Sequence, residues 1–257
     1  VKSSRIVHPI IFAIVLLSAW HVASKSQIFA FWILPSPGQV LSSLFGNLPL
    51  VWHHLKPTLV EALLGLLISI LAGAAVALLM DNVRWFKQAL YPFLVISQTV
   101  PIIALAPLLI IWFGYGISAK VFAVVLMCFF PITLAMYDGL RSVDIQQIRL
   151  LNSMGASPAR IMLLLKIPTS LPGFFTGLKL AATYCVMGAV IGEWLGGNAG
   201  LGIYLIRATK SYQTAQVFAV IMVIVMLSLL LYGIVALLER FILAWKYHPE
   251  DEFEEIG

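Results

Sequence analysis

The sequence predicts an all-α fold: a polytopic membrane helix bundle with about six transmembrane helices. Three observations carry that expectation. Of the 257 residues, 61% are hydrophobic and 11% are charged, whereas a soluble domain carries about 25% charged residues. The apolar residues gather into runs of roughly 20, the length a helix needs to cross a bilayer. Lysine and arginine concentrate on alternate connections between those runs, as they do in multi-pass proteins.

The runs are Ile6 to Val22, Thr58 to Met80, Phe86 to Ile111, Val121 to Tyr137, Ser170 to Gly192 and Val217 to Phe241. The first lies in "VKSSRIVHPIIFAIVLLSAWHVAS", which has the outline of a secretory signal peptide. Because further spans follow, it reads as a first membrane helix. In the next segment, "LPSPGQVLSSLF", Ser36 is placed to cap and Pro37 to take the first helical position, predicting a short amphipathic surface helix. Trp32, Trp52, His53 and His54 suit the interfacial belt. No cysteine or carboxylate cluster makes the two histidines a metal site.

In the second span Gly65, Ser69 and Gly73 fall at i, i+4 and i+8, as do Gly173, Gly177 and Ala181 in the fifth. Each series makes a smooth ridge where another helix backbone can approach closely. The ridges serve either static packing within one bundle or a surface that slides against a partner. Glu61, at the start of the second span, reads as interfacial. Pro101 and Pro107 interrupt the third span, leaving either a broken helix beside a pathway or a Pro-kinked structural helix. Cys128 and Cys185 lie in apolar runs and read as small hydrophobes. Lys179 reads as a snorkelling side chain. Glu193 is a carboxylate near the end of the fifth span, where charge is expensive. Interfacial anchoring, a capping bond and substrate contact are all open to it. Gln98, Pro101, Tyr184 and Met187 are further candidates for a pathway. The tail "PEDEFEEIG" reads as a solvated end.

With both termini inside, the inner segments hold Lys2, Arg5, Arg84, Lys87, Arg141, Arg149, Arg160, Lys166, Arg240 and Lys246. The outer segments hold Lys25, Lys56, Lys120, Arg207 and Lys210. This bias orients the opening stretch toward the cytoplasm.

The inner stretch from Asp144 to Pro172 interrupts the apolar spans with two short basic helices. Asp144 with Gln147 three residues on suggests a capping box. A helix from Ile145 to Met154 follows, apolar along Ile145, Ile148, Leu150, Leu151 and Met154, with Gln146, Arg149 and Ser153 opposite. Gly155 suits a left-handed C-terminal cap. Ser157 and Pro158 then start a second helix, expected to run until Pro168 and Pro172 break it. Each cap contributes about 1 kcal/mol, and a helix this short is otherwise marginal in water. Such rigidity suits a loop that docks something or transmits force; a segment resting on the inner leaflet is the other reading.

Several classes are excluded. The net charge of +5 is modest and its residues sit singly beside apolar spans, which argues against nucleic acid. There is no phosphate loop of the form G-x-x-x-x-G-K-[ST]. There is no paired intramembrane Asp, no H-E-x-x-H and no Ser/His constellation for an embedded enzyme.

The stretch around Gly155 resembles the cytoplasmic coupling loop of ATP-binding-cassette importer permeases, whose pattern is E-A-A, three residues, G, nine residues, then I-x-L-P. Gly155 falls on the family glycine, and "GASPARIMLLLKIPTSLPGFFTGLKLA" continues the match. The E-A-A positions hold Arg149, Leu150 and Leu151, so the glutamate position carries the opposite charge. "LPSPGQVL", "PIIALAPLLIIWFGYGISAK", "FFPI" and "VIGEWLGGNAGLGIYLI" resemble the branch serving nitrate, sulfonate, taurine, bicarbonate and pyrimidine vitamin precursors. "ATYCVMGAVIGEWLGG" is most similar to the members for thiamine pyrimidine precursors.

The resemblance implies a single permease domain over residues 1–257, with a coupling helix in a cytoplasmic loop at 144–168. It implies a bacterial plasma membrane location with both termini cytoplasmic. Two permease chains, expected as a homodimer, would work with cytoplasmic nucleotide-binding ATPase subunits and an extracytoplasmic substrate-binding protein. ATP and Mg would be held by the ATPase, no cofactor by this chain, and the chain itself would not be an enzyme. Asp144, Arg149, Met154, Gly155, Ala156, Ser157 and Pro158 would form the docking element, with Arg149 able to meet an acidic ATPase residue. A secondary transporter or channel is the alternative; it would need ion-coupling carboxylates, for which Glu193 alone is thin.

Overall fold

A computed structural model describes residues 2–26, 33–194 and 196–247; Trp32 and the acidic tail lie outside them. Among the described residues there are helices and no strands. Helix α1 (Lys2–Lys25) is followed by a short α2 (Pro37–Gly46) and a long α3 (Leu48–Asn82). Then come α4 (Arg84–Ser97), α5 (Ile102–Phe113), α6 (Ile117–Arg141), α7 (Ile145–Ser153) and α8 (Pro158–Ile161). A π turn (Met162–Lys166) leads into α9 (Ile167–Trp194), followed by α10 (Leu201–Lys210) and α11 (Thr214–Ile242). Five of the helical stretches are long and apolar enough to cross a membrane, and α4 with α5 makes a sixth if that bent pair is one span.

The outer faces of these helices are apolar and exposed, as lipid requires, and the small residues turn inward. Helix α6 is the central post, with α3 on one side and α9 on the other. Both small-residue ridges face it. Gly73 of α3 sits where an added Cβ would lie 3.1 Å from Ile132 and Thr133. Ser69 donates its hydroxyl to Gly65 O at 2.8 Å in its own helix and lies 3.5 Å from Val125 O of α6. On α9, a Cβ at Gly173 or Gly177 would lie 2.6 Å from Ala135 O or 2.5 Å from Pro131 O. Ala181 is fully buried beside Cys128. The ridges therefore do their packing inside this chain. Gly177→Val is expected to cost about 1–3 kcal/mol by overpacking this contact, read as a lowered Tm of the detergent-solubilised chain; Gly233→Val, where a Cβ meets nothing within 4 Å, is the control.

Helix α1 stands largely apart, tied near its end by Trp20, whose Nε1 donates to Pro35 O at 3.0 Å and whose ring stacks on Phe218. Helix α2 is capped as expected: Ser36 and Gln39 bond reciprocally, with Pro37 first. One expectation fails. Pro168 and Pro172 do not end the helix begun at Pro158, which continues as one stretch of 37 residues to Trp194. The π turn is the reason. Ile167 donates to Met162 O, five residues back, and this wider turn accommodates the backbone just ahead of the Pro168 ring.

Candidate functional site: a capped elbow and a broken helix

The elbow between α7 and α8 is closed by side-chain caps at the two helix starts and by backbone bonds at the turn. Asp144 Oδ1 accepts from Gln146 N at 2.8 Å. This is a one-sided cap rather than the expected box: the short carboxylate takes the second amide, and Gln147 is exposed. Helix α7 ends at Ser153, one residue early. Gly155 follows at φ +77°, its N–H donating to Asn152 O at 3.0 Å while Ala156 N donates to Leu151 O at 3.0 Å. These are the two bonds of a Schellman motif, which needs a left-handed residue at the glycine. Ser157 Oγ then accepts from Arg160 N at 3.4 Å, with Pro158 in the first position.

No residue of α7 is buried. Ile145 and Ile148 line a hollow against the bundle, Ile145 itself still exposed, and Arg149, Leu150 and Met154 stand exposed, Met154 at 73%. The apolar face read from the sequence is thus split, half toward the bundle and half outward. An outward-facing Leu and Met on a rigidly capped helix form a surface suited to a groove in another protein.

The second feature is the break between α4 and α5, whose axes lie at 98°. Pro101 precedes α5 and lies at the break; Pro107 stays within α5. Freed groups at the end of α4 are recovered locally: Ser97 Oγ donates to Leu94 O at 2.8 Å and Thr99 Oγ1 to Ile96 O at 2.7 Å. Irregular backbone at membrane depth is tolerated where protein or a cavity covers it. A cavity of about 400 Å³ lies here, lined by Gln98 and Ser97 from the break, Met127 and Phe130 from α6 and Tyr184 from α9. Gln98 and Tyr184 are thus brought together. Met187 is exposed one turn from Tyr184, outside this wall.

Glu193 lies elsewhere, fully buried at the end of the bundle opposite α7. Its carboxylate accepts from Thr58 Oγ1 and from Gly202 N, both at 2.5 Å. Thr58 Oγ1 in turn accepts from Leu201 N at 2.9 Å, and His54 Nδ1 from Gly200 N at 3.1 Å. Thr58, Glu193 and His54 therefore cap the start of α10 from α3 and α9. Beside them Lys120 Nζ meets Glu61 Oε1 at 2.7 Å in a buried pair. This corrects two readings: Glu61 and His54 are interior rather than interfacial. Lys120, counted in an outer segment, points into the bundle. Lys179 likewise does not snorkel; it pairs with Glu239 at 2.8 Å. A signal for the network was present in "GGNAGLG", whose glycines let backbone amides come this close to a carboxylate.

The family of binding-protein-dependent transport system inner membrane components matches residues 65–243. The chain belongs to this family of ABC transporter permeases. The permease is 41% identical over 239 residues, 93% of this chain and 98% of the other, to a probable ABC transporter permease protein of Haemophilus influenzae. It is 39% identical over 246 residues, 95% of this chain and 98% of the other, to the formylaminopyrimidine transport permease protein ThiX of Halalkalibacterium halodurans. Its fold is similar to that of a solved amino acid ABC transporter, with a TM-score of 0.63 at 20% identity, covering 77% of this chain and 96% of that one.

Proposed function

We propose that the permease forms the translocation path of an ATP-driven importer for a small, neutral, aromatic heterocycle of the thiamine-pyrimidine-precursor kind. The surface from Asp144 through Arg149, Met154, Gly155, Ala156 and Ser157 to Pro158 docks a separate ATPase subunit, which holds ATP and Mg. Two permease chains flank the path, and an extracytoplasmic binding protein delivers the solute. The lysine and arginine bias supports a cytoplasmic position for α7 and both termini. The observation that carries the reading is the exposed elbow itself, capped at both helices and offering Leu150 and Met154 outward.

The cavity at the α4–α5 break supports the solute class. Its wall offers an amide, hydroxyls, an aromatic face and a thioether, with no lysine or arginine. A flat heterocycle finds stacking and hydrogen bonds there, while a sulfonate would find no cation. Similarity to a permease named for formylaminopyrimidine points the same way. Pro101 fixes the break, Met187 continues the face past Tyr184, and Glu193 holds the far end of α9. An ion-coupled transporter would need available carboxylates in the bundle, yet Glu61, Asp81 and Glu239 meet lysines and Glu193 accepts from Thr58 and Gly202.

Purification of the full chain from its native membrane is expected to bring a nucleotide-binding subunit with it, and transport of an aminopyrimidine should require ATP. An active chain without that subunit would defeat the importer reading. Gln98→Ala with Tyr184→Ala is expected to lower uptake about tenfold, the loss of one or two hydrogen bonds, at unchanged membrane level. A cognate binding protein carrying a sulfonate would overturn the solute class.

A further inference from the structure

A cavity of about 600 Å³ lies beneath α7, apart from the α4–α5 break. Its walls come from the ends of α3, α4 and α6, from α7 and from the π turn. Arg84, Lys87, Arg141 and Lys166 line it. Asp81 in the same wall is engaged by Lys166 at 2.7 Å. An adjoining hollow shares Lys87 and Arg141 and adds Asp138. Four cations thus face two carboxylates, one of them already committed.

Two of the cations are held in place by a neutral ring. Arg141 Nη1 donates to Tyr137 Oη at 3.0 Å, and Lys87 Nζ stands 5.4 Å from the centre of the Tyr137 ring. Tyr137 orients these two groups without cancelling their charge, and its hydroxyl can donate to a ligand oxygen. Ile145 and Ile148 supply an apolar wall opposite. Trp85, between Arg84 and Lys87 in sequence, is 74% exposed, and exposed tryptophan favours the depth of lipid headgroups.

We propose that this cavity binds the phosphodiester headgroup of an anionic phospholipid. Arginine forks and a lysine suit phosphate oxygens, the arginines bidentately. Basic pockets between spans at the cytoplasmic side are where such headgroups lodge. A protein partner is the less suitable occupant, because the side of α7 facing the cavity is not the one offering Leu150 and Met154. The headgroup would touch α4, α6 and the π turn together and brace the elbow against the bundle. This inference rests on the cavity and on the inward orientation read from the lysine and arginine bias, and it stands whether or not the importer reading does.

The test uses the full chain in detergent with phosphatidylglycerol or phosphatidylcholine added, read by native mass spectrometry and by Tm. Phosphatidylglycerol should be retained preferentially and should raise Tm. Lys87→Gln with Arg141→Gln should lower its retention about 30-fold, taking roughly a fivefold loss per cation near the surface. Lys25→Gln with Lys56→Gln, at the other end of the bundle, should leave retention unchanged. Because retention is read on folded, monodisperse protein, a misfolded variant is replaced by Arg84→Gln with Lys87→Gln. Equal losses in the two sets of variants would overturn the proposal. So would inorganic phosphate protecting as well as the lipid, which would mark a soluble-anion site. Displacement of phosphatidylglycerol by a copurified subunit would assign the cavity to a protein partner and overturn it too.

Discussion

Gly155→Val is expected to abolish uptake if the elbow docks an ATPase as proposed, while the chain still reaches the membrane and that ATPase still hydrolyses ATP. Space is not the obstacle, since an added Cβ at Gly155 meets nothing within 4 Å. The obstacle is φ +77°. A left-handed conformation costs an L-residue about 1–2 kcal/mol, and a β-branched one more. Valine would relax the turn and lose the bonds from Gly155 N to Asn152 O and from Ala156 N to Leu151 O. The relative direction of α7 and α8 would then be free to wander. Gly155→Asn, which tolerates the left-handed region, should restore most of the transport. Uptake and ATPase activity measured on reconstituted vesicles check both variants. Normal uptake with valine would remove the elbow from the mechanism.

The second large effect concerns stability. Lys120→Met leaves Glu61 buried without its cation, and removal of one partner from such a pair costs about 3–5 kcal/mol. Among the described residues Glu61 Oε2 already lacks a hydrogen-bond partner, so little remains to soften the loss. Gly192 and Gly197 pack close against the Lys120 side chain, and methionine keeps most of that volume. Glu61→Gln with Lys120→Met should therefore regain most of the lost stability. A double-mutant cycle on Tm isolates the pairing energy. If the single and double variants melted alike, the pair would hold nothing together.

The spans, the elbow and the small-residue ridges were legible because each is written locally. A run of apolar residues, a Ser-Pro start or a glycine at a helix end needs no knowledge of distant sequence. What failed was long-range. A charge near the end of a span can turn outward to water or inward to a partner, and its own neighbours do not decide which. Glu61 and Lys120 are 59 residues apart, and Lys179 and Glu239 are 60 apart. Helix α10 went unread because its start is capped by groups from α3 and α9. Pro168 misled for a different reason: the rule that proline ends a helix assumes α geometry throughout, and here one wider turn precedes it. In the candidate site, Gln98 and Tyr184 could be named singly, but their meeting across the cavity depended on the bend at Pro101.

The uninterrupted stretch from Pro158 to Trp194 has a mechanical corollary. Its 37 residues make a shaft of about 55 Å at 1.5 Å per residue, longer than the hydrocarbon layer is thick. One tip is capped by Ser157, at the elbow; the other carries Glu193, bonded to the Gly202 amide in the first turn of α10. On the proposed docking role, a thrust received at the first tip would reach the second along one continuous helix, so the two faces of the membrane would be in step without any relay of side chains between them.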